Sequence, residues 1–179
     1  METNSEKKWT EKDGIIYFSV TSNGATGGQW TNDLKIKGVR VTNDAKEILH
    51  SENFKPTNGY VYNIAVIKGG IFSDNYRFIE RIRQEALRHK FFNSDAEVAC
   101  LIREKFLNED LEAMGLLWII VMHEPIKISS DYNFPSSCRG NLLCSSHGDL
   151  GPLLETATDK SFIKWNSLHG FAFLVSKTL

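Results

Sequence analysis

The sequence predicts a single α+β domain: a mostly antiparallel or mixed sheet, a central group of about three helices and a loop-rich C-terminal third. Three observations lead there. Strand-length runs of β-branched and aromatic residues stand near both ends of the chain. Amphipathic helical spacing is confined to its middle. The uninterrupted apolar run Leu116–Met122 needs a core to enclose it. A chain of 179 residues fits one domain and buries roughly two-thirds of its unfolded surface, so it needs no disulfide or metal to fold.

Residues 1–12 are polar and charged, with Trp9 the one large apolar side chain after Met1, and read as a flexible tail; residues 13–179 form the domain. Gly14–Thr21 is a strand by its β-branched and aromatic content. Ser22–Gln29 reads as a loop, because Gly24, Gly27 and Gly28 crowd it, and Trp30–Lys37 as a short helix that Gly38 ends. Thr42-Asn43-Asp44 offers caps to a helix burying Ala45, Ile48 and Leu49. Tyr60–Ile67 fits either element and is assigned to strand on its β-branched and aromatic content.

The spacing of Phe78, Ile79, Ile82 and Ala86 predicts a long helix over Asp74–His89. Ser94-Asp95-Ala96-Glu97 matches a capping box, opening a second helix that buries Val98, Leu101, Ile102 and Phe106. Asn108 is placed as the cap of a third helix through Met114, with Gly115 as its left-handed exit. The run Leu116–Met122 follows as an interior strand containing Trp118. Asn141–Cys144 reads as a short strand, Phe171–Val175 as a final one, and residues 126–168 as loop-rich, the setting in which functional residues concentrate.

The formal net charge of −1 argues against a general nucleic-acid binder, which carries a basic excess. Cys100, Cys138 and Cys144 are odd in number and widely spread, unlike a secreted disulfide framework. No segment reaches the ~18 consecutive apolar residues of a membrane span, and the N-terminus has no signal-peptide core. The expectation is a soluble, reduced, cytoplasmic protein.

Candidate sites follow from residue chemistry. His123-Glu124, at the exit of the core strand, supplies a proton shuttle beside a carboxylate; the plainer alternative is a strand end meeting solvent. His147 and Asp149, in a glycine-containing loop, would complete with His123 a set for a divalent metal, although no tight ligand pair stands on one element. Cys138, Cys144 and His147 are spaced too widely for a structural zinc site. Gly24–Gly28 has the glycines of a phosphate cradle but neither of its motifs, and a connector is the simpler reading.

Arg77, Arg81 and Arg88 share a helical face able to meet phosphates, nucleic acid or an acidic partner; a solvated face with local Glu–Arg pairs is the alternative. Trp165 and His169, just ahead of the last strand, are candidates for a binding rim, against the alternative of covering the core.

The pieces Ser19-Val20-Thr21-Ser22, Lys37-Gly38-Val39-Arg40, Cys100-Leu101-Ile102-Arg103-Glu104, Met114-Gly115-Leu116, Ile120 through Ile126 and Gly170-Phe171-Ala172-Phe173, in this order, resemble a family of small uncharacterised bacterial proteins. The resemblance implies a bacterial, single-domain protein and carries no activity, cofactor or catalytic residue. Three functional readings stand: a small-ligand or protein binding module; a hydrolase or phosphoesterase-like enzyme using His123 and Glu124 or a metal; and phosphate or nucleic-acid binding through the arginine face.

Overall fold

The computed structural model describes residues 8–133, 140–161 and 163–175. Among the described residues eight strands form one mixed sheet, and five helices cover it (a 3-10 turn follows at Gly69–Ile71 and another at Ser129–Asn133). The strands are β1 (Thr10–Lys12), β2 (Ile15–Asn23), β3 (Arg40–Val41), β4 (Asn58–Lys68), β5 (Trp118–Val121), β6 (Asn141–Gly148), β7 (Gly151–Thr158) and β8 (His169–Leu174). Their order across the sheet is β1-β2-β4-β8-β5-β6-β7-β3. The helices are α1 (Gly27–Ile36), α2 (Asn43–Leu49), α3 (Ile79–Arg88), α4 (Glu97–Lys105) and α5 (Asn108–Ala113).

Alternation along the strands sorts side chains onto two faces. Ile16, Phe18, Val20, Ile64, Val66, Ile119 and Val121 turn to the face that also receives Trp30, Leu34 and Ile48 from α1 and α2, the buried side of α4, and Leu111. Ile15, Ala65, Ile67, Ile120, Met122, Phe171 and Phe173 turn to the other face, where Ile79, Ile82 and Ala86 of α3 pack. β5 lies between β8 and β6, and Ile119, Ile120, Val121 and Met122 are wholly buried. This is the interior strand the sequence predicts.

β5 and β8 run parallel, and β6 is antiparallel to both β5 and β7. Strands β5, β7 and β8 therefore point the same way and end on one side of the sheet.

Several expectations are corrected, most of them by contacts between residues distant in sequence. Thr10–Lys12, read as tail, pairs with Ile15–Tyr17 as β1, and Trp9 packs edge-on against Phe106 at 6.1 Å. The loop read over Ser22–Gln29 ends early: Thr26 and Gln29 form a capping box, with Gln29 N–H donating to Thr26 Oγ1 and Thr26 N–H to Gln29 Oε1. Gly27 is needed for packing rather than for a phosphate cradle. A Cβ there would lie 1.7 Å from the Leu49 carbonyl oxygen, so glycine lets α1 and α2 touch.

The helix expected over Asp74–His89 starts only at Ile79. Its first turn is displaced because Arg77 bonds outside the helix, to the carbonyls of Phe72 (2.9 Å) and Trp165 (3.1 Å). The Ser94 cap is not made either: α4 starts at Glu97, and the Ser94 N–H donates to the Met122 carbonyl at 3.0 Å. Glu97 is recruited elsewhere, accepting from Thr57 N–H, from Thr57 Oγ1 (2.6 Å) and from the Tyr62 hydroxyl (2.5 Å). Burial, followed by the Glu97 hydrogen bond, raises the Tyr62 phenol well above its ordinary pKa.

Leu107, not Asn108, precedes α5, its N–H held by Asp110 at 2.8 Å. Gly115 does supply the left-handed exit, with φ of 73°. In the region read as loop-rich, β6 and β7 form an antiparallel hairpin of eight residues on each side. Ser145 and Ser146 conceal β6 in the sequence; both are buried with their hydroxyls satisfied, by the Ala99 carbonyl at 2.9 Å and by Glu155.

Candidate functional site: the cleft at the ends of β5, β7 and β8

Three codirectional strands end on one side of the sheet, and two of them deliver polar residues there. β5 hands over His123 and Glu124, and β7 hands over Asp159. The end of β8 is bridged by Phe92, whose N–H donates to the Leu174 carbonyl while the Leu174 N–H donates back, both at 2.9 Å. That bridge and the bond from Ser94 to Met122 lay the segment Phe92–Asp95 across the ends of β8 and β5. Arg83 reaches in from α3.

The polar groups form a chain. Arg83 Nη2 donates to Asp159 Oδ2 at 3.1 Å and Nη1 to Asn93 Oδ1 at 3.2 Å; Asn93 Nδ2 donates to Glu124 Oε1 at 2.6 Å. Three adjoining depressions, of about 580, 250 and 350 Å³, open here, and Glu124 lines all three. Phe91, Phe92, Leu87 and Phe173 supply an apolar wall on the α3 side. Leu87 and Phe92 are exposed there. The lining carries three carboxylates, Asp95, Glu124 and Asp159, against one guanidinium, so the cleft is acidic.

Three buried polar atoms of this cleft lack a hydrogen-bond partner among the described residues: Arg83 Nε, Ser94 Oγ and Asp159 Oδ1. Asp159 is 1% exposed and Ser94 5%. An unpaired buried polar atom costs about 1–3 kcal/mol; Trp30 Nε1, Arg103 Nε, Trp165 Nε1 and His169 Nδ1 are in the same state elsewhere among the described residues.

His123 is not free to act as a base. It is 2% exposed; Nε2 accepts the Leu143 N–H at 2.9 Å, and Nδ1 lies 2.7 Å from the Glu124 carbonyl, to which it donates. Both ring nitrogens of the neutral imidazole are engaged. Burial pushes its pKa down to about 4, against a smaller opposing pull from the Glu124 carbonyl. The pair splits: His123 stitches strands together, while the Glu124 carboxylate faces the cleft.

The metal set does not assemble. His147 sits at the opposite end of β6, its N–H bonded to the Leu117 carbonyl and its Nε2 2.9 Å from Glu112, and Asp149 is exposed near the hairpin turn. Among the described residues no group of three or more His, Cys, Asp or Glu could hold a metal ion. Cys100 and Cys144 are buried free thiols whose pKa burial raises; Cys138 lies outside the described residues.

The binding rim is corrected too. Trp165 is buried, in edge contact with Phe171, and His169 stacks on Trp118 with ring centroids 5.0 Å apart. Both cover the α3-side core, and burial lowers the His169 pKa to about 4.

The arginine face breaks up. Arg77 is buried, outside α3, and holds loop carbonyls and Asp74. Arg81 and Arg88 do share a small depression, in which Arg88 pairs with Glu85 and Arg81 lies over the Tyr76 ring. The residues missed in sequence are Asn93 and Asp95, on the segment between α3 and α4, and Asp159, just past β7, with no periodicity to connect them.

Among the described residues no helix is long and apolar enough to cross a membrane. No family model, curated protein or solved structure matches the chain.

Proposed function

We propose that this protein is a binding module for a small amine, held in the cleft between Arg83, Glu124 and Asp159. The observation that carries the reading is Asp159: a carboxylate 1% exposed, with one oxygen committed to Arg83 and the other unpartnered among the described residues. A buried carboxylate oxygen seeks a donor, and the acidic excess of the lining favours a cationic one. Ser94 Oγ stands ready to donate or accept, and Arg83 Nε calls for an acceptor on the same ligand. The wall of Phe91, Phe92 and Leu87 suits an apolar or aromatic body, as in most small-molecule sites.

Titration calorimetry with 2-phenylethylammonium, ethanolammonium and phenylacetate tests this. The two ammonium ions should bind, the aromatic one more tightly, and Asp159→Asn should abolish both. Equal binding of phenylacetate, or ammonium binding untouched by Asp159→Asn, would overturn the assignment. The hydrolase reading loses support because its proposed base, His123, has both nitrogens engaged.

A further inference from the structure

At the far edge of the sheet a second concavity has the opposite charge. It encloses about 620 Å³ between the C-terminal part of α1, strand β3 and the first turns of α2, within the range of small-molecule sites. Lys35, Arg40 and Lys46 line it, and no carboxylate does; Asp33 and Asp44, their acidic neighbours in sequence, are not part of the lining. Among the described residues none of these three cations forms a salt bridge.

Elsewhere Lys8, Lys37, Lys68, Arg77, Arg83 and Arg88 each pair with a carboxylate, in a chain whose net charge is −1. Three cations gathered around one hollow without a counter-charge raise the local concentration of anions.

The backbone sets this arrangement. Gly38, with φ of 77°, turns the chain out of α1, and the Val39 N–H returns to the Leu34 carbonyl at 2.9 Å. Arg40 and Val41 then pair in parallel with Leu153 and Leu154 as the last strand of the sheet. The Arg40 guanidinium rests beside Gly148 of the β6–β7 hairpin, where an added Cβ would lie 3.1 Å from Nη2. Val39, Val41 and Leu153 give the hollow an apolar floor, and Asn32 adds an amide at its rim.

We propose that this groove binds a small phosphorylated molecule of the nucleoside diphosphate type. The three cations take the phosphates, with Arg40 as the bidentate partner, and the valine–leucine floor takes the base. A concave site of this size, confined to one corner of a weakly acidic protein, fits a small ligand rather than a nucleic-acid track. The inference is independent of the amine cleft, from which the groove shares no lining residue.

Calorimetry and 15N-resolved NMR of the wild-type chain with inorganic pyrophosphate, ADP, adenosine and a short single-stranded oligonucleotide test it. Pyrophosphate and ADP should bind, adenosine should not, and the amides of Lys35, Arg40 and Thr42 should shift. Affinity should fall with added salt, and roughly tenfold in Arg40→Ala, the scale of one lost charge-assisted contact. Lys35→Gln, on an exposed side chain, should weaken binding in the same direction; Asp159→Asn should leave it unchanged. Absence of pyrophosphate and ADP binding, wild-type affinity in both Arg40→Ala and Lys35→Gln, or binding of the oligonucleotide in place of ADP would overturn the proposal.

Discussion

The Leu143 backbone N–H donates to His123 Nε2 at 2.9 Å, so a side chain just past the end of β5 receives a main-chain bond from β6. Paired residues of the two strands run from Trp118–Ser146 to Ile120–Cys144, and the imidazole extends the attachment beyond that ladder. The same ring donates to the Glu124 carbonyl, which fixes the turn that presents the Glu124 side chain to the cleft. His123→Ala should cost about 3 kcal/mol, combining a lost buried side chain with an orphaned Leu143 N–H. Urea unfolding measures it, and a loss under about 0.5 kcal/mol, typical of surface changes, would contradict the stitching role.

The two buried histidines make stability depend on pH in a stated direction. His123 and His169 have pKa values near 4 in the fold against an ordinary 6.5. Between these limits the unfolded chain binds more protons than the native one, so stability falls as pH falls from about 6.5 to about 4. Above this window their contribution is complete, and below it no more is lost. For His123 the full effect is about 3 kcal/mol. Unfolding free energies measured across the window should show this slope, reduced in His169→Phe, which keeps an aromatic ring against Trp118. A flat profile would mean that the histidines are solvated.

Arg83 and Asp159 form an asymmetric pair, with the carboxylate at 1% exposure and the guanidinium at 23%. Arg83→Met should destabilise by about 3–5 kcal/mol at neutral pH, because it strands a buried charge. The double change Arg83→Met with Asp159→Leu should recover much of that loss. A double-mutant cycle showing no coupling would remove the pair from the account.

Ser94→Ala should leave stability unchanged or slightly raised. As a helix cap Ser94 would be worth about 1 kcal/mol, but its hydroxyl is buried without a partner among the described residues. Chemical denaturation distinguishes the two outcomes; a loss near the capping value would show that the hydroxyl satisfies the helix after all.

Trp30→Ala should cost more than Trp118→Ala, about 3–5 kcal/mol for a fully buried ring. Trp30 is 1% exposed between α1 and the sheet, whereas Trp118 is half-buried and covered on one face by His169. The sequence context suggests the reverse, since Trp118 lies in an apolar run and Trp30 beside glycines. Thermal unfolding of both variants would decide it.

The sequence alone determined the elements whose side chains carry a local period. The alternation in Ile15–Asn23, the unbroken apolar run to Met122 and the helical spacing of Ile79, Ile82 and Ala86 demand burial whatever the partner, so the class, strands β2 and β5 and the centre of α3 could be read directly, whereas β1, β3 and β7 could not. Gly115, with its positive φ, was legible for the same reason: the conformational demand is local. Tertiary structure decided where polar groups went. Glu97 matches a capping-box position and Arg77 falls within the expected helix, yet Glu97 is claimed by Thr57 and Tyr62 and Arg77 by the Trp165 carbonyl, because such groups take the partner the fold brings nearest. The cleft belongs to this second category. Arg83, Glu124 and Asp159 meet only because β5 and β7, the two neighbours of β6, end on the same side of the sheet near α3, a consequence of strand order that no short stretch of the chain encodes.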